Sequence, residues 1–272
     1  MKPIRVRCPA KINLFLRVGA KDDHGYHPIR TVFQAIDLCD ELFIEPAEHD
    51  AFACDELDLP ADNTVTKALR LLREPFRIPP LSIRLTKTIP VEAGLGGGSS
   101  DAAGLLRAAP RLTGHDIPER ELMEVASAVG KDVGFFLVGG RARGEGYGDT
   151  LYPLDDPSEP MDIVVAIPTA ARVSTAVAYA RLDSRSEVQL RAAEEIGIND
   201  FESVAPADCL ELIEFMLRLP LSPVSLCGSG SAAFGIAKSS EAAIEVAEDL
   251  KRAGWKAWAT SSLSREESLW MS

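Results

Sequence analysis

Residues 90–103 read Pro-Val-Glu-Ala-Gly-Leu-Gly-Gly-Gly-Ser-Ser-Asp-Ala-Ala, a glycine run that closes on two serines. No other segment restricts the possible folds as strongly. Gly94, Gly96, Gly97 and Gly98 carry no Cβ, so the backbone can take positive φ and approach a ligand closely. The Ala/Leu-rich stretch that starts at Ser99, Ser100 and Asp101 and runs to Ala109 is predicted to be helical, with Ser or Asp as its cap. Such a loop aims unpaired N–H groups and the positive end of a helix dipole at one point. Phosphate binds there.

The common phosphate motifs do not fit. No lysine follows the glycines, as a Walker A loop requires, and Ser99 stands where a dinucleotide fingerprint has its third glycine. A tight connection without a ligand is the plainer alternative. Four glycines in five positions before a helix favour an anion site over it.

Charge narrows what the anion can be. The net charge of −12 argues against nucleic acid as a partner. An anionic substrate must therefore be met by individual lysines and arginines or by a metal ion, because the overall field repels it. The 272 residues suffice for one large domain or two ordinary ones. No apolar run is long enough for a membrane helix and residues 1–16 lack signal-peptide architecture, so a cytoplasmic protein is expected. Cys8, Cys39, Cys54, Cys209 and Cys227 are odd in number and never form Cys-x-x-Cys, which reads as reduced, mostly buried thiols. His24, His27, His49 and His115 make no zinc spacing with them.

The chain alternates from Ala10 to Val18, with Ala10, Ile12, Leu14, Leu16 and Val18 on one face. A half-buried strand is predicted, with Lys11 and Asn13 side by side on its second face. Leu81, Ile83 and Leu85 mark a strand that runs toward the glycine loop. Val65, Ala68, Leu69 and Leu72 behind Asp62/Asn63 predict a helix, as do Leu122, Val125, Ala126 and Val129 before Gly130. Three prolines and three acids in residues 153–160 mark a break. Beyond it come strands at 163–167, 224–226 and 255–260, and helices at 208–217 and around 242–250. There is no internal repeat. The pattern is that of an α+β protein of two domains, 1–155 and 160–272.

Four segments stand out together: the strand with Lys11, the glycine loop, Gly130-Lys-Asp-Val-Gly-Phe-Phe136, and the turn Gly228–Ser231. This set resembles the GHMP kinase superfamily, and within it the 4-diphosphocytidyl-2-C-methyl-D-erythritol kinase family. The N-terminal family pattern Pro-Ala-Lys-x-Asn-Leu-x-Leu stands as residues 9–16, and Asp-Gly-Tyr-His appears as His24-Gly-Tyr-His27. Gly-Leu-Gly-Gly-Gly-Ser-Ser is intact at 94–100, and Gly-x-Gly matches Gly228-Ser229-Gly230. The chain departs from the pattern Gly-Ala-Asp-Val-Pro, with Lys131 for Ala and Gly134 for Pro; Asp132 is kept.

The resemblance implies a two-domain GHMP kinase fold, with an N-terminal ribosomal-protein-S5-domain-2-like domain and a C-terminal ferredoxin-like one. It implies ATP as phosphoryl donor, Mg²⁺, and a cytidine diphosphate-linked methylerythritol as the small-molecule acceptor, phosphorylated on its 2-hydroxyl. Asp132 would take or orient the acceptor's proton, with Lys11 beside it; in isolation these residues read as a helix N-cap and a solvated lysine. ATP would lie on Pro90, Val91, Glu92, Ala93, Gly94, Leu95, Gly96, Gly97, Gly98, Ser99 and Ser100, with Asn63 beside the adenine and Ser100 toward the metal. The turn Gly228–Ser231 would brace that loop. Asn13 would reach acceptor hydroxyls, while Tyr26, His27 and Tyr179 would hold the cytosine. No nucleic-acid or membrane partner is implied, and a monomer or weak homodimer is expected. A superfamily kinase for homoserine or mevalonate remains open, as does a catalytically silent nucleotide-binding protein. Tyr26-His27 speaks against the first, Lys11 with Asp132 against the second.

Overall fold

The alternation at residues 10–18 extends upstream in the computed structural model, as strand β1 (Ile4–Val18). Residues 2–55, 57–169, 174–183 and 194–272 are described. β1 pairs antiparallel with the long β2 (Ile29–Pro46), from Ile4 opposite Ile44 to Val18 opposite Ile29. The expected half-buried strand is in fact buried on both faces from Cys8 to Val18. Ala10, Ile12 and Leu14 pack with residues of a second sheet, while Lys11 and Asn13 are covered by the protein on the other side. Alternation reports a polar face; it does not report what covers it.

β2 organises the first sheet because it is long enough to serve different partners along its length. Beyond it come β3 (Ala51–Cys54), helix α1 (Thr64–Phe76) and β4 (Leu81–Thr86), and β4 pairs with β2 over Glu41–Pro46. Asn63 caps α1 in a capping box, and Val65, Ala68, Leu69 and Leu72 are buried as expected. Helix α2 (Gly97–Thr113) follows the glycine loop. The expected Ser or Asp cap is not observed: the N-cap is Gly96, in the left-handed region at φ 74, and no side chain caps the helix. Starting the helix inside the glycine run points its first amides into the loop's concavity, which a serine cap would have blocked. Then come α3 (Glu119–Val129), ended at Gly130 as expected, α4 (Val133–Val138), β5 (Arg141–Glu145) and β6 (Thr150–Leu154). The sheet order is β3-β4-β2-β5-β6, with β1 also on β2, and α1 to α4 share one core with it.

The proline-rich stretch ends β6 and leads to β7 (Asp162–Ile167). Helix α5 (Thr175–Asp183), a 3₁₀ turn at Asp200–Val204, α6 (Ala207–Met216), β8 (Val224–Leu226) and β9 (Ala233–Ile236) follow. The chain closes with α7 (Ser240–Arg252), β10 (Lys256–Ser261) and α8 (Arg265–Ser268). The second sheet has the order β10-β7-β9-β8. Alternate residues of β7 serve two cores. Val164 and Ala166 pack with Leu212 of α6 and Val246 of α7, whereas Ile163 and Val165 pack with Ile12 of β1 and Leu95 of the glycine loop. The architecture is α+β, and the second sheet forms the backing on which the loop rests.

Candidate active site

The glycine loop is held by its own backbone. Leu95 O accepts from Lys11 N at 2.9 Å, and Ala93 O accepts from Ala232 N at 3.0 Å, so β1 and the turn after β8 clip it from two directions. Gly94 and Gly96 have φ of 78° and 74°. A Cβ on Gly94 would stand 2.1 Å from Cys227 O, and one on Gly96 would stand 2.8 Å from Phe136 Cζ. These glycines are required for packing as much as for conformation. The turn at Gly228–Ser231 therefore braces the loop, as expected, and Asn199 reinforces it by donating to Leu226 O at 2.9 Å and Gly228 O at 2.8 Å.

Pro90 to Ser99 all line a cleft of about 640 Å³ shared with Lys11, Asn13, Asn63, Asp132, Tyr179, Phe201 and Gly228. The first α2 amide with an intrahelical acceptor is that of Ser100, bonded to Gly96 O at 2.9 Å, so helix geometry leaves the amides before it for a ligand. Ser100 itself does not line the cleft; its hydroxyl is buried behind the loop without a hydrogen-bond partner. Asn63 borders the cleft, but its side chain caps α1, accepting from Val65 N and Thr66 N and donating to Pro60 O.

Lys11 and Asp132 meet across the cleft: Nζ lies 3.8 Å from Oδ2. Lys11 is only 4% exposed. It donates to Asn13 Oδ1 at 2.7 Å and lies 5.7 Å from the Phe33 ring centroid. Asn13 donates in turn to Thr31 Oγ1 at 2.8 Å. The Asn13 carboxamide is thus already engaged between Lys11 and Thr31 and fixes where the ammonium points. Asp132 occupies the N-cap position of α4 yet makes no capping hydrogen bond. Its carboxylate is left to face Lys11. Gly134, where the family has proline, is buried in α4, and a Cβ there would lie 3.3 Å from Leu151 Cδ1.

The cytosine candidates divide. Tyr179, on α5, lines the cleft; its ring is edge-on to Phe201 at 4.9 Å and stacked on His27 at 5.1 Å. Burial pushes its hydroxyl up to about 12. His27 is buried behind it, with Nδ1 donating to Gly19 O at 2.9 Å and Nε2 lying 3.0 Å from Asp183 Oδ1, out of hydrogen-bond alignment. Tyr26 is 59% exposed and outside the cleft lining, its ring beside that of Tyr147.

Beneath the loop lies a charged cluster of which only Asp101 belongs to a sequence motif. Lys87, which lines the cleft, pairs with Asp101 at 2.9 Å and with Asp40, all three nearly buried. Asp40 Oδ1 also accepts from Thr88 N at 2.6 Å and Ile89 N at 2.8 Å. One ammonium therefore ties the strand end before the loop to the helix start after it. Lys87 carries no local signal beyond standing shortly before Pro90. Burial, and then the neighbouring Asp40 carboxylate, pushes the Asp101 carboxyl up from 3.8 to about 8. The unfolded chain releases that proton near pH 4 and the folded chain near pH 8. The group's stabilising contribution is thus complete below about pH 4 and lost as pH rises through about 8. Urea midpoints should fall between about pH 5 and 8, and Asp101→Asn should flatten much of that decline. Equal slopes for both proteins would show that Asp101 is not protonated in the fold.

Known proteins resemble this chain in sequence and in fold. The family model for the GHMP kinases N terminal domain matches residues 63–140, and that for GHMP kinases C terminal matches residues 207–257. A 4-diphosphocytidyl-2-C-methyl-D-erythritol kinase from Solibacter usitatus is 38% identical over 89% of this chain and 84% of its own. One from Geobacter sulfurreducens is 34% identical over 97% of this chain and 100% of its own. A crystal structure of 4-(cytidine 5'-diphospho)-2C-methyl-D-erythritol kinase, 34% identical, superposes with a TM-score of 0.80 over 95% of this chain and 98% of that one. Homoserine kinase from Cytophaga hutchinsonii, 20% identical with a TM-score of 0.67 over 100% of this chain and 98% of its own, shares the fold. With relatives 34–38% identical that it matches over 84–100% of their length, this chain belongs to the 4-diphosphocytidyl-2-C-methyl-D-erythritol kinase family of the GHMP kinases.

Proposed function

We propose that this ATP-dependent small-molecule kinase transfers the γ-phosphoryl group of ATP to the 2-hydroxyl of 4-diphosphocytidyl-2-C-methyl-D-erythritol. The observation that carries the reading is the Asp132 carboxylate, uncommitted to helix capping and 3.8 Å from the buried Lys11 ammonium. In this scheme Asp132 accepts the hydroxyl proton while the alkoxide oxygen bonds to the γ-phosphorus. The bond from that phosphorus to the β–γ bridging oxygen breaks, and ADP departs. Lys11 stabilises the negative charge that develops at the acceptor, and the amides at the start of α2 bind the phosphates.

Mg²⁺ is implied by the same chemistry, and when bound it neutralises charge on the β- and γ-phosphates. Among the described residues no group of three or more His, Cys, Asp or Glu could hold a metal ion. The Ser100 hydroxyl, which the family resemblance points toward the metal, is buried behind the loop and does not line the cleft, so no side chain is assigned as a Mg²⁺ ligand. Asn63 would border the adenine with its backbone and cap, and Tyr26, His27 and Tyr179 would form the cytosine end. We place the boundary between domains 1–155 and 160–272 in the proline-rich link before β7. The setting we infer is cytoplasmic, as a monomer or weak homodimer without nucleic-acid or membrane partners. Five free cysteines and a net charge of −12 support it, and among the described residues no helix is long and apolar enough to cross a membrane.

A substrate panel with ATP and Mg²⁺ tests the reading. Turnover with homoserine or mevalonate but not with the cytidyl compound would overturn it, and turnover with none would favour a silent nucleotide binder. Tyr26→Ala tests the base site. Stacking on a base contributes about 1–3 kcal/mol, so the cytidyl substrate should bind about ten- to a hundredfold more weakly while ATP affinity stays unchanged. Calorimetric titration showing equal loss for both ligands, or no loss for the cytidyl substrate, would remove Tyr26 from the base site.

A further inference from the structure

Lys131 stands where the family pattern has alanine, immediately before Asp132. Its ammonium pairs with Asp149 Oδ2 at 2.5 Å and lies 5.3 Å from the Tyr147 ring centroid. An alanine could reach neither. Asp149 Oδ1 accepts from Tyr147 N at 3.3 Å, so Lys131 holds the turn between β5 and β6 by both its side chains. The Tyr147 hydroxyl donates to Asp22 Oδ2 and keeps that carboxyl below its ordinary range. Asp22 Oδ1 accepts from His24 N and Tyr26 N, each at 3.0 Å, which closes the turn around Gly25 at φ 82. The Tyr147 and Tyr26 rings then meet at 5.3 Å, tilted by 48°. An unbroken series of contacts runs from the neighbour of Asp132 to an exposed aromatic ring.

We propose that Lys131 and Tyr147 are positioning residues for the nucleobase end of the acceptor, holding Tyr26 in the orientation in which its open face receives the cytosine. The proposal rests on the reading of Tyr26 as a base contact. Its physical basis is preorganisation: a ring 59% exposed on a surface turn loses rotamer freedom when a ligand immobilises it. Contacts that fix the ring beforehand remove that cost from binding. The ammonium over the Tyr147 ring adds a cation–π attraction that alanine lacks. Neither residue is placed against a reacting atom, so the signature belongs to affinity for one substrate.

Steady-state kinetics of Lys131→Ala and Tyr147→Phe test this. Each should raise KM for the cytidyl substrate about three- to tenfold, the range that freeing one side chain implies, with kcat and KM for ATP within about twofold. Lys131→Arg, which keeps the ion pair and the cation over the ring, should restore the wild-type KM. In a Tyr26→Ala background neither substitution should weaken the cytidyl substrate further. A fall in kcat with KM unchanged would overturn the proposal by showing that Lys131 acts on Asp132. Full additivity with Tyr26→Ala would overturn it by showing action independent of that ring. If Tyr26→Ala alone left KM unchanged, the base-contact reading itself would fall, whatever Lys131→Ala did.

Discussion

Asp132→Asn is expected to lower kcat by about 10²–10⁴-fold, the range for losing a general base, with ATP affinity nearly intact. The carboxamide keeps the shape of the side chain but cannot accept the acceptor's proton. Asp132 makes no capping hydrogen bond that the substitution would break and its side chain is 36% exposed, so the loss of stability is limited to that of the charge facing Lys11. That separates the chemistry from the fold. Single-turnover rates and a calorimetric ATP titration on the same preparation measure both. Near wild-type turnover in a folded Asp132→Asn protein would assign the proton transfer to another group.

The second large effect is expected at Lys11. Removing a positioned donor or cation from the developing charge costs about 10²–10³-fold in kcat. Lys11→Ala also removes a side chain that is only 4% exposed and leaves Asn13 Oδ1 without its donor at 2.7 Å, so some stability is lost as well. Lys11→Met keeps most of the buried stem and isolates the charge. Both variants should lose kcat with a much smaller change in KM for ATP. Because Lys11 and Asp132 act on the same proton and the same charge, the double variant should be little worse than either single one. A change confined to KM for ATP would move Lys11 from the chemistry to nucleotide binding.

Tyr26 and His27 are adjacent in the chain and look like a single device in sequence. In the fold they diverge: His27 is buried against Tyr179, and Tyr26 lies in the open against Tyr147. Adjacent residues of an irregular turn can point in different directions, so neighbouring positions do not guarantee a shared contact. Tyr147, which backs Tyr26, lies in a hairpin turn far along the chain and carries no motif of its own.

Local physics made much of this protein legible from its residues. The helix periods of α1 and α3, the Asn63 cap, the stop at Gly130 and three of the four strands of the second sheet follow from interactions within a few residues, and they stand where expected. β9 (Ala233–Ile236), which follows the Gly228–Ser231 turn, is not among the strands the sequence predicts. The glycine run likewise marked a tight loop before a helix, since Gly94 and Gly96 take positive φ and a Cβ on either would collide with its neighbours. What the chain could not state was which polar groups are left over once the elements pack. Asp132 satisfied the local rule for an N-cap and was freed from it by the backbone at the start of α4. Asn13 lines the cleft, and its carboxamide is held in place between Lys11 and Thr31. Lys87 and Asp40, unremarkable in sequence, became with Asp101 a buried clamp beneath the loop because three separate elements converge there. Hydrogen-bond partners and burial are properties of contacts between distant segments. Sequence therefore determined the elements and the loop, and tertiary packing decided which side chains remained available for chemistry.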